Sequence, residues 1–278
     1  MALRRQGWGA VGLLVCVISA SVAQTVGAKD ASIIVQSTTS TANSGLYDHL
    51  LPQLQADTGI VANIVAVGTG QAIRNARNCD ADVLLVHAKA AEEAFVSEGF
   101  GVARQDLMYN DFIVVGPDSD PADVRGEPDI IKALTRIANT KSTFASRGDD
   151  SGTHKKELTL WSEAEVDVNA ASGQWYRETG SGMGATLNVG VGMGAYVLTD
   201  RATWISFANK GQHEILVEGD ADLFNQYGII LVSSEACPNV NQAAGSAFVE
   251  WLLSDVGQAA IAAHQIDGQQ LFFPNADR

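Results

Sequence analysis

The chain is expected to be an α/β protein of two lobes, with mainly parallel sheets, flanking helices and a ligand cleft between lobes joined by two crossing strands. Three observations predict this. Short apolar runs of β character alternate with helical stretches through the first hundred residues, the pattern of right-handed βαβ units on a parallel sheet. A strand at 113–115 ends at Gly116-Pro117-Asp118, and a second apolar strand at 229–232 follows only after more than a hundred residues, so the segment between reads as an inserted domain. The turns after the early strands are rich in hydroxyls or glycine, and loops at the carboxyl ends of parallel strands line the ligand crevice in such folds.

Taken in order, Arg4 and Arg5, an apolar run over 9–22 and the small-x-small sequence Ser21-Val22-Ala23 form a secretory signal peptide, 1–23, with Gln24 as the expected new N-terminus. Cys16 lacks the small residue that precedes a lipidated cysteine, and no later run approaches the roughly 20 apolar residues of a membrane span. An exported, periplasmic or extracellular protein is expected. The lobes are assigned as 24–115 plus 228–278 and, inserted, 116–227. A disulfide between Cys79 and Cys237 suits an oxidising compartment, but sequence alone leaves the pairing open.

The strand at 32–35 leads into Ser37-Thr38-Thr39-Ser40-Thr41 and a helix with Leu46, Leu50, Leu51 and Leu54 on one face, expected to kink at Pro52. A strand at 61–67 is followed by Gly68-Thr69-Gly70 and a helix to Asn78, then a strand at 82–87 ending on His87. In the inserted segment, Gly180-Ser181-Gly182-Met183-Gly184-Ala185-Thr186 is a loop opening a further helix; its G-x-G-x-G spacing is not a dinucleotide fingerprint. The helix Gln242–Leu253 is expected to pack back on the first lobe.

The densest chemistry lies at 146–157, S-R-G-D-D-S-G-T-H-K-K-E. Arg147 supplies charge and a planar donor fork, Ser151 and Thr153 supply hydroxyls, and Gly152 allows close backbone approach at the start of a helix over 154–162. That is a pocket for a small tetrahedral anion, with Asp149 expected behind Arg147 to orient it. The net charge of −14, two units more negative without Arg4 and Arg5, excludes nucleic acid and anionic membranes as partners. It does not exclude an anion in a desolvated cleft, because distant surface charges are screened. No P-loop lysine and no metal-ligand spacing is present, so no cofactor or metal is expected. His87 is expected to be a structural histidine, His154 an exposed one, and Trp161, Trp175, Tyr176 and Trp204 core.

Five segments also carry a family likeness: T-T-S-T at 38–41 followed by Asn43-Ser44-Gly45-Leu46, A-D-V-L-L-V-H-A at 81–88, the 146–157 stretch, W-Y-R-E-T-G-S-G-M-G-A-T-L at 175–187, and L-T-D-R-A-T-W at 198–204. Through them nearly all of the mature chain resembles the tungstate-binding components of ABC importers. The resemblance implies a periplasmic-binding-protein fold that captures the tungstate oxyanion between its lobes and delivers it to a membrane permease, without catalysis and as a monomer. The family's three-threonine run has Ser37 in its first place here, which keeps a hydroxyl.

The ligand-binding set expected from both readings is Thr38, Thr39, Ser40, Gly68 and Thr69 from one lobe, and Arg147, Ser151, Gly152, Thr153, Gly184, Ala185 and Thr186 from the other. Molybdate is not distinguishable by charge or shape, and the R-x-D-x-S-G-T spacing resembles the anion loop of phosphate-binding proteins. An all-donor site would favour tungstate or molybdate over a phosphate that keeps its proton. From another class, Asp150-Ser151-Gly152 admits an exported serine hydrolase with Ser151 as nucleophile, although the βαβ pattern is wrong for a two-barrel protease.

Overall fold

The computed structural model describes residues 31–276; the expected signal peptide, Cys16 and Gln24 lie outside them. The first lobe begins with β1 (Ala31–Thr38), α1 (Thr39–Asn43), α2 (Leu46–Thr58), β2 (Ile60–Val67), α3 (Thr69–Arg77), β3 (Val83–Val86) and α4 (Lys89–Ser97). β1 pairs in parallel with both β2 and β3, as the strand–helix alternation requires. Leu46, Leu50 and Leu54 of α2 are buried on one face, and Gly59 ends the helix in a left-handed conformation (φ 71°). α2 runs through Pro52 without interruption. Pro52 is exposed, so the carbonyl it releases one turn earlier, on exposed Asp48, meets water.

The 17-residue strand β4 (Gly101–Pro117) then leaves this lobe. The second lobe follows: α5 (Ile130–Thr140), β5 (Phe144–Ser146), α6 (Gly152–Glu163), β6 (Tyr176–Glu178), α7 (Met183–Met193), β7 (Val197–Asp200), α8 (Arg201–Ser206) and β8 (His213–Val217). The chain returns along β9 (Phe224–Val232) to α9 (Gln242–Leu253) and α10 (Asp255–Ala263), and ends in the short strands β10 (Gln265–Ile266), β11 (Gln269–Gln270) and β12 (Phe273–Pro274).

β4 changes partners partway. From Gly101 to Asp111 it pairs with β9, and from Phe112 to Pro117 with β7 and β8, always antiparallel. Parallel pairing therefore holds in β2-β1-β3 and β5-β6, while the connecting strands bring antiparallel pairs that apolar runs alone do not reveal. The fold is mixed α/β with flanking helices, and the two long strands join its halves.

Each lobe has its own core. Ile33, Val35, Leu85, Ile229, Phe248 and Ile261 lie in the first; Phe112, Val114, Leu134, Phe144, Trp161, Tyr176 and Tyr196 lie in the second. Trp161, Tyr176 and Trp204 are buried, and Trp175 packs against Trp161 and Tyr176. Cys79 and Cys237 are joined, with Cα atoms 5.3 Å apart across 158 positions of sequence. A loop of that length restrains the unfolded chain by about 5 kcal/mol in the chain-entropy treatment.

Candidate functional site

The N-terminal ends of α1, α3, α6 and α7 meet where the lobes face each other. β1 turns directly into α1 because Thr38 serves as its N-cap, accepting the Thr41 N–H. Thr38 Oγ1 lies 2.7 Å from Thr41 Oγ1 and 3.2 Å from Ser40 Oγ. These three side chains are buried, with polar rather than apolar neighbours. Ser37 turns the other way, its hydroxyl bonded to the Tyr47 hydroxyl, so the hydroxyl kept at that position serves the core.

Across the seam, Arg147 is 1% exposed. Its Nη2 donates to Asp149 Oδ2 at 2.6 Å and its Nε to the same oxygen at 3.2 Å. Nη2 also reaches Thr39 Oγ1 at 3.3 Å, linking the lobes. Asp149 thus orients the guanidinium from behind, and its Oδ1 accepts the Ser151 N–H. Ser151 caps α6, its Oγ accepting the His154 N–H at 3.2 Å. Thr153 Oγ1 is buried with no hydrogen-bond partner among the described residues, a condition that costs about 1–3 kcal/mol unless something else meets it.

Other contacts close the seam. The Gly152 N–H donates to Thr69 Oγ1 at 3.0 Å, and the Gly70 N–H to the Asp150 carbonyl at 3.3 Å. A Cβ on Gly70 would stand 3.1 Å from that carbonyl and overlap the Asp150 carboxylate, so only glycine permits this approach. Gly68 and Gly182 precede α3 and α7 without any side-chain cap, which leaves first-turn amides facing the junction. Gly182 lies against Thr39 and Gly184 against Asn43. Ala185 is exposed, and the Thr186 hydroxyl is engaged by Thr179 Oγ1 at 2.7 Å and by the Ser181 carbonyl at 3.3 Å. Of the expected set, Thr38, Thr39, Ser40, Gly68, Thr69, Arg147, Ser151, Gly152 and Thr153 come together. Gly184 borders the junction through backbone alone, and the side chains of Ala185 and Thr186 take no part.

The expected ligand set left out four neighbours, Thr41, Asp200, Thr203 and His87. Thr41 shares the Thr38 hydroxyl. Asp200 is buried and accepts the Thr203 N–H at 2.8 Å and the Thr203 hydroxyl at 2.7 Å, while that hydroxyl lies 3.5 Å from the Ser40 carbonyl. Burial raises the Asp200 pKa, opposed by the Thr203 bonds and the Arg147 charge. The L-T-D-R-A-T-W motif was the signal for this pair. His87 is buried between Ser40 and Asn225, stacks on Tyr227 at 4.8 Å, and has its pKa lowered to about 4, chiefly by burial.

His154 is half-buried rather than exposed, since its Nδ1 accepts the Asp150 N–H at 3.1 Å. That bond also removes it as a base for Ser151. A groove of about 440 Å³ opens on the far side of His87 and Gly152, lined by Phe112, Phe224 and alanines as well as Lys155 and Lys156. It is too apolar to be an oxyanion cage. Among the described residues no cluster of His, Cys, Asp and Glu could hold a metal ion, and no helix is long and apolar enough to cross a membrane.

Comparison with known proteins adds to this geometry. Residues 21–256 match the model of a PBP superfamily domain. The chain is 49% identical over 249 residues to the tungstate-binding protein TupA of Peptoclostridium acidaminophilum, covering 88% of this chain and 86% of that one. Among solved structures it is similar to the tungstate-binding protein TupA from Desulfovibrio alaskensis G20, with a TM-score of 0.76 and 46% identity over 89% of this chain and 100% of that one. The tungstate ABC transporter structure from Geobacter sulfurreducens also gives a TM-score of 0.76, at 41% identity over 83% and 97% of the respective chains.

Proposed function

The chain belongs to the PBP superfamily, and from that premise we propose that it captures tungstate between its lobes and delivers it to the permease of an ABC importer. It is a solute-binding protein, not an enzyme, as its 49% and 46% identical tungstate-binding relatives support, and Ser151 serves as the cap of α6. The observation that carries the oxyanion reading is the pairing of buried Arg147 with the buried, partnerless Thr153 hydroxyl beside a loop of hydroxyls from the other lobe. The 49% and 46% identical relatives named for tungstate support the choice of metal.

Both nearby carboxylates are already occupied. Asp149 takes Arg147 on Oδ2 and the Ser151 N–H on Oδ1, and Asp200 takes Thr203 on both oxygens. Each of their oxygens thus already accepts a hydrogen bond within the protein and neither carboxylate is held free for the proton of a hydrogen phosphate, which favours a fully deprotonated dianion such as tungstate or molybdate.

Export through residues 1–23, a periplasmic or extracellular location and a monomeric state belong to the same proposal. So does the lobe division at 24–115 with 228–278 against 116–227. The change of partners along β4 at Asp111 and Phe112, and the start of β9 at Phe224, support a bend within a few residues of those limits.

The test is a thermal-shift series on ligand-stripped protein with tungstate, molybdate, phosphate, sulfate and buffer. Ligand at a thousand times its Kd stabilises by about 4 kcal/mol. A large shift with tungstate is expected and a small one with phosphate; a shift with phosphate alone, or with no oxyanion, sinks the reading.

A further inference from the structure

Behind Ser40 runs a row of buried polar side chains that bear on which proton it presents. His87 Nε2 lies 3.3 Å from Ser40 Oγ, and His87 Nδ1 lies 2.9 Å from Asn225 Oδ1. Asn225 Nδ2 lies 2.7 Å from Asn110 Oδ1 and 3.3 Å from the Tyr227 hydroxyl. His87, Asn110, Asn225 and Tyr227 are all buried. With its pKa held near 4 by burial, His87 is neutral at neutral pH. One ring nitrogen then donates and the other accepts, so every bond in the row must run the same way.

With Asn225 Oδ1 facing His87 and Asn225 Nδ2 facing Asn110, the row runs away from the site. Ser40 donates to His87, His87 to Asn225 and Asn225 to Asn110. This direction leaves Asn110 Nδ2 buried without an acceptor, and it turns a lone pair of Ser40 toward a dianion. Turning both amides over exchanges nitrogen and oxygen at the same positions. Asn110 and Tyr227 then donate to Asn225 Oδ1, Asn225 donates to His87 Nδ1, and His87 Nε2–H donates to Ser40 Oγ. The Ser40 proton is no longer held by His87 and is free to turn to a ligand, with Thr38 Oγ1 at 3.2 Å as its other acceptor. The group left over becomes a carbonyl oxygen, which protein interiors tolerate better than an unpaired N–H.

We propose that Asn110, Asn225, His87 and Ser40 form a directional hydrogen-bond row that makes Ser40 a donor in the anion complex, so that His87 is a positioning residue setting the site against oxyanions that carry a proton. This rests on the oxyanion reading above. Ser40 held as a donor repels the O–H of a hydrogen phosphate and attracts the bare oxygen of a tungstate; held as an acceptor it would do the reverse.

The direct test is the ¹⁵N spectrum of histidine-labelled protein, stripped and then saturated with tungstate, with the His87 signals identified by their loss in His87→Gln. Protonated Nε2 with a lone pair on Nδ1 is expected in the tungstate complex; a proton on Nδ1 there overturns the proposal even while tungstate binds. If calorimetry finds no tungstate binding at all, the oxyanion reading fails and the proposal with it.

Two variants add a functional readout. His87→Gln, whose amide can still donate to Ser40, should stay within about threefold of the parent in tungstate affinity. His87→Leu should be about tenfold weaker, the scale of one lost bond to a charged ligand, and its preference for tungstate over hydrogen phosphate at pH 8 should fall by a similar factor. An equal loss for both anions would mean that His87 only fills space, and would overturn the proposal.

Discussion

Replacing Arg147 by alanine is the most severe single test of the site. The side chain is 1% exposed and holds Asp149 at 2.6 Å and Thr39 at 3.3 Å. Two losses follow. A unit charge about 4 Å from a unit charge is worth about 4 kcal/mol at an effective dielectric of 20, and a dianion feels more than that. Asp149, with 15% side-chain exposure, is then left beside the ligand with its charge unmatched. Taking about 4 kcal/mol as a floor, tungstate affinity should fall at least a thousandfold.

Calorimetric titration of the parent, Arg147→Ala, Asp149→Asn and the double variant separates the two losses. Asp149→Asn keeps the guanidinium and loosens its aim, so about a tenfold loss is expected from one weakened charge-assisted bond. The double variant should bind no worse than Arg147→Ala, because the stranded carboxylate has gone. A folded Arg147→Ala that binds tungstate within tenfold of the parent would refute the placement of the ligand at this arginine.

Three further outcomes are expected. Thr153→Val removes a buried hydroxyl that has no partner among the described residues, so the stripped protein should be as stable as the parent, or about 1 kcal/mol more stable, in urea unfolding, while tungstate affinity drops about tenfold. Gly152→Ala places a Cβ 2.9 Å from His87 Cε1 and 3.0 Å from the His87 carbonyl; the lobes should then fail to close, seen as weaker tungstate binding and an unchanged radius of gyration on adding ligand. Glu157 is buried, accepts from Tyr176 and Trp161, and has its pKa raised to about 7 by burial. The folded state binds its proton more tightly than the unfolded chain does, so this stabilisation is complete below about pH 4.5 and is lost as pH rises through about 7. Glu157→Gln, which keeps the Oε1 contacts, should exceed the parent by about 2 kcal/mol at pH 8 and match it at pH 4.

Much of this was legible because the chemistry sits where strands become helices. The hydroxyl run after β1 and the Arg-x-Asp-x-Ser-Gly-Thr run after β5 each combine a turn, a cap and a proposed ligand group within a few residues, and such local patterns survive in sequence. Asp200, Thr203 and His87 were harder to find. Their roles depend on which side chains lie opposite across the seam, a matter of strand partners that apolar runs do not specify. The antiparallel pairing of β4 was missed for the same reason. Thr186 is a different case: its place after a glycine-rich loop suggested a ligand hydroxyl, and in the structure that hydroxyl meets Thr179 and the Ser181 carbonyl.

On the proposed function an acidic protein holds a dianion, and that demands an electrostatic account, since formal charge does not supply one. Arg147 is matched by Asp149, and Asp200 lies close enough to feel the guanidinium, so the side chains around the junction sum to zero or slightly negative. The attraction must come from backbone dipoles. Each helix N-terminus acts as roughly half a positive charge, and α3, α6 and α7, of 9, 12 and 11 residues, direct theirs here. Together they supply about one and a half charges at short range, while the carboxylates of the −14 chain are largely exposed and screened within about 10 Å. α3 belongs to one lobe and α6 and α7 to the other, so an open cleft offers a dianion only part of this field. The difference is free energy that the ligand gains only on closure, and a ligand can shift a conformational equilibrium only by such a difference.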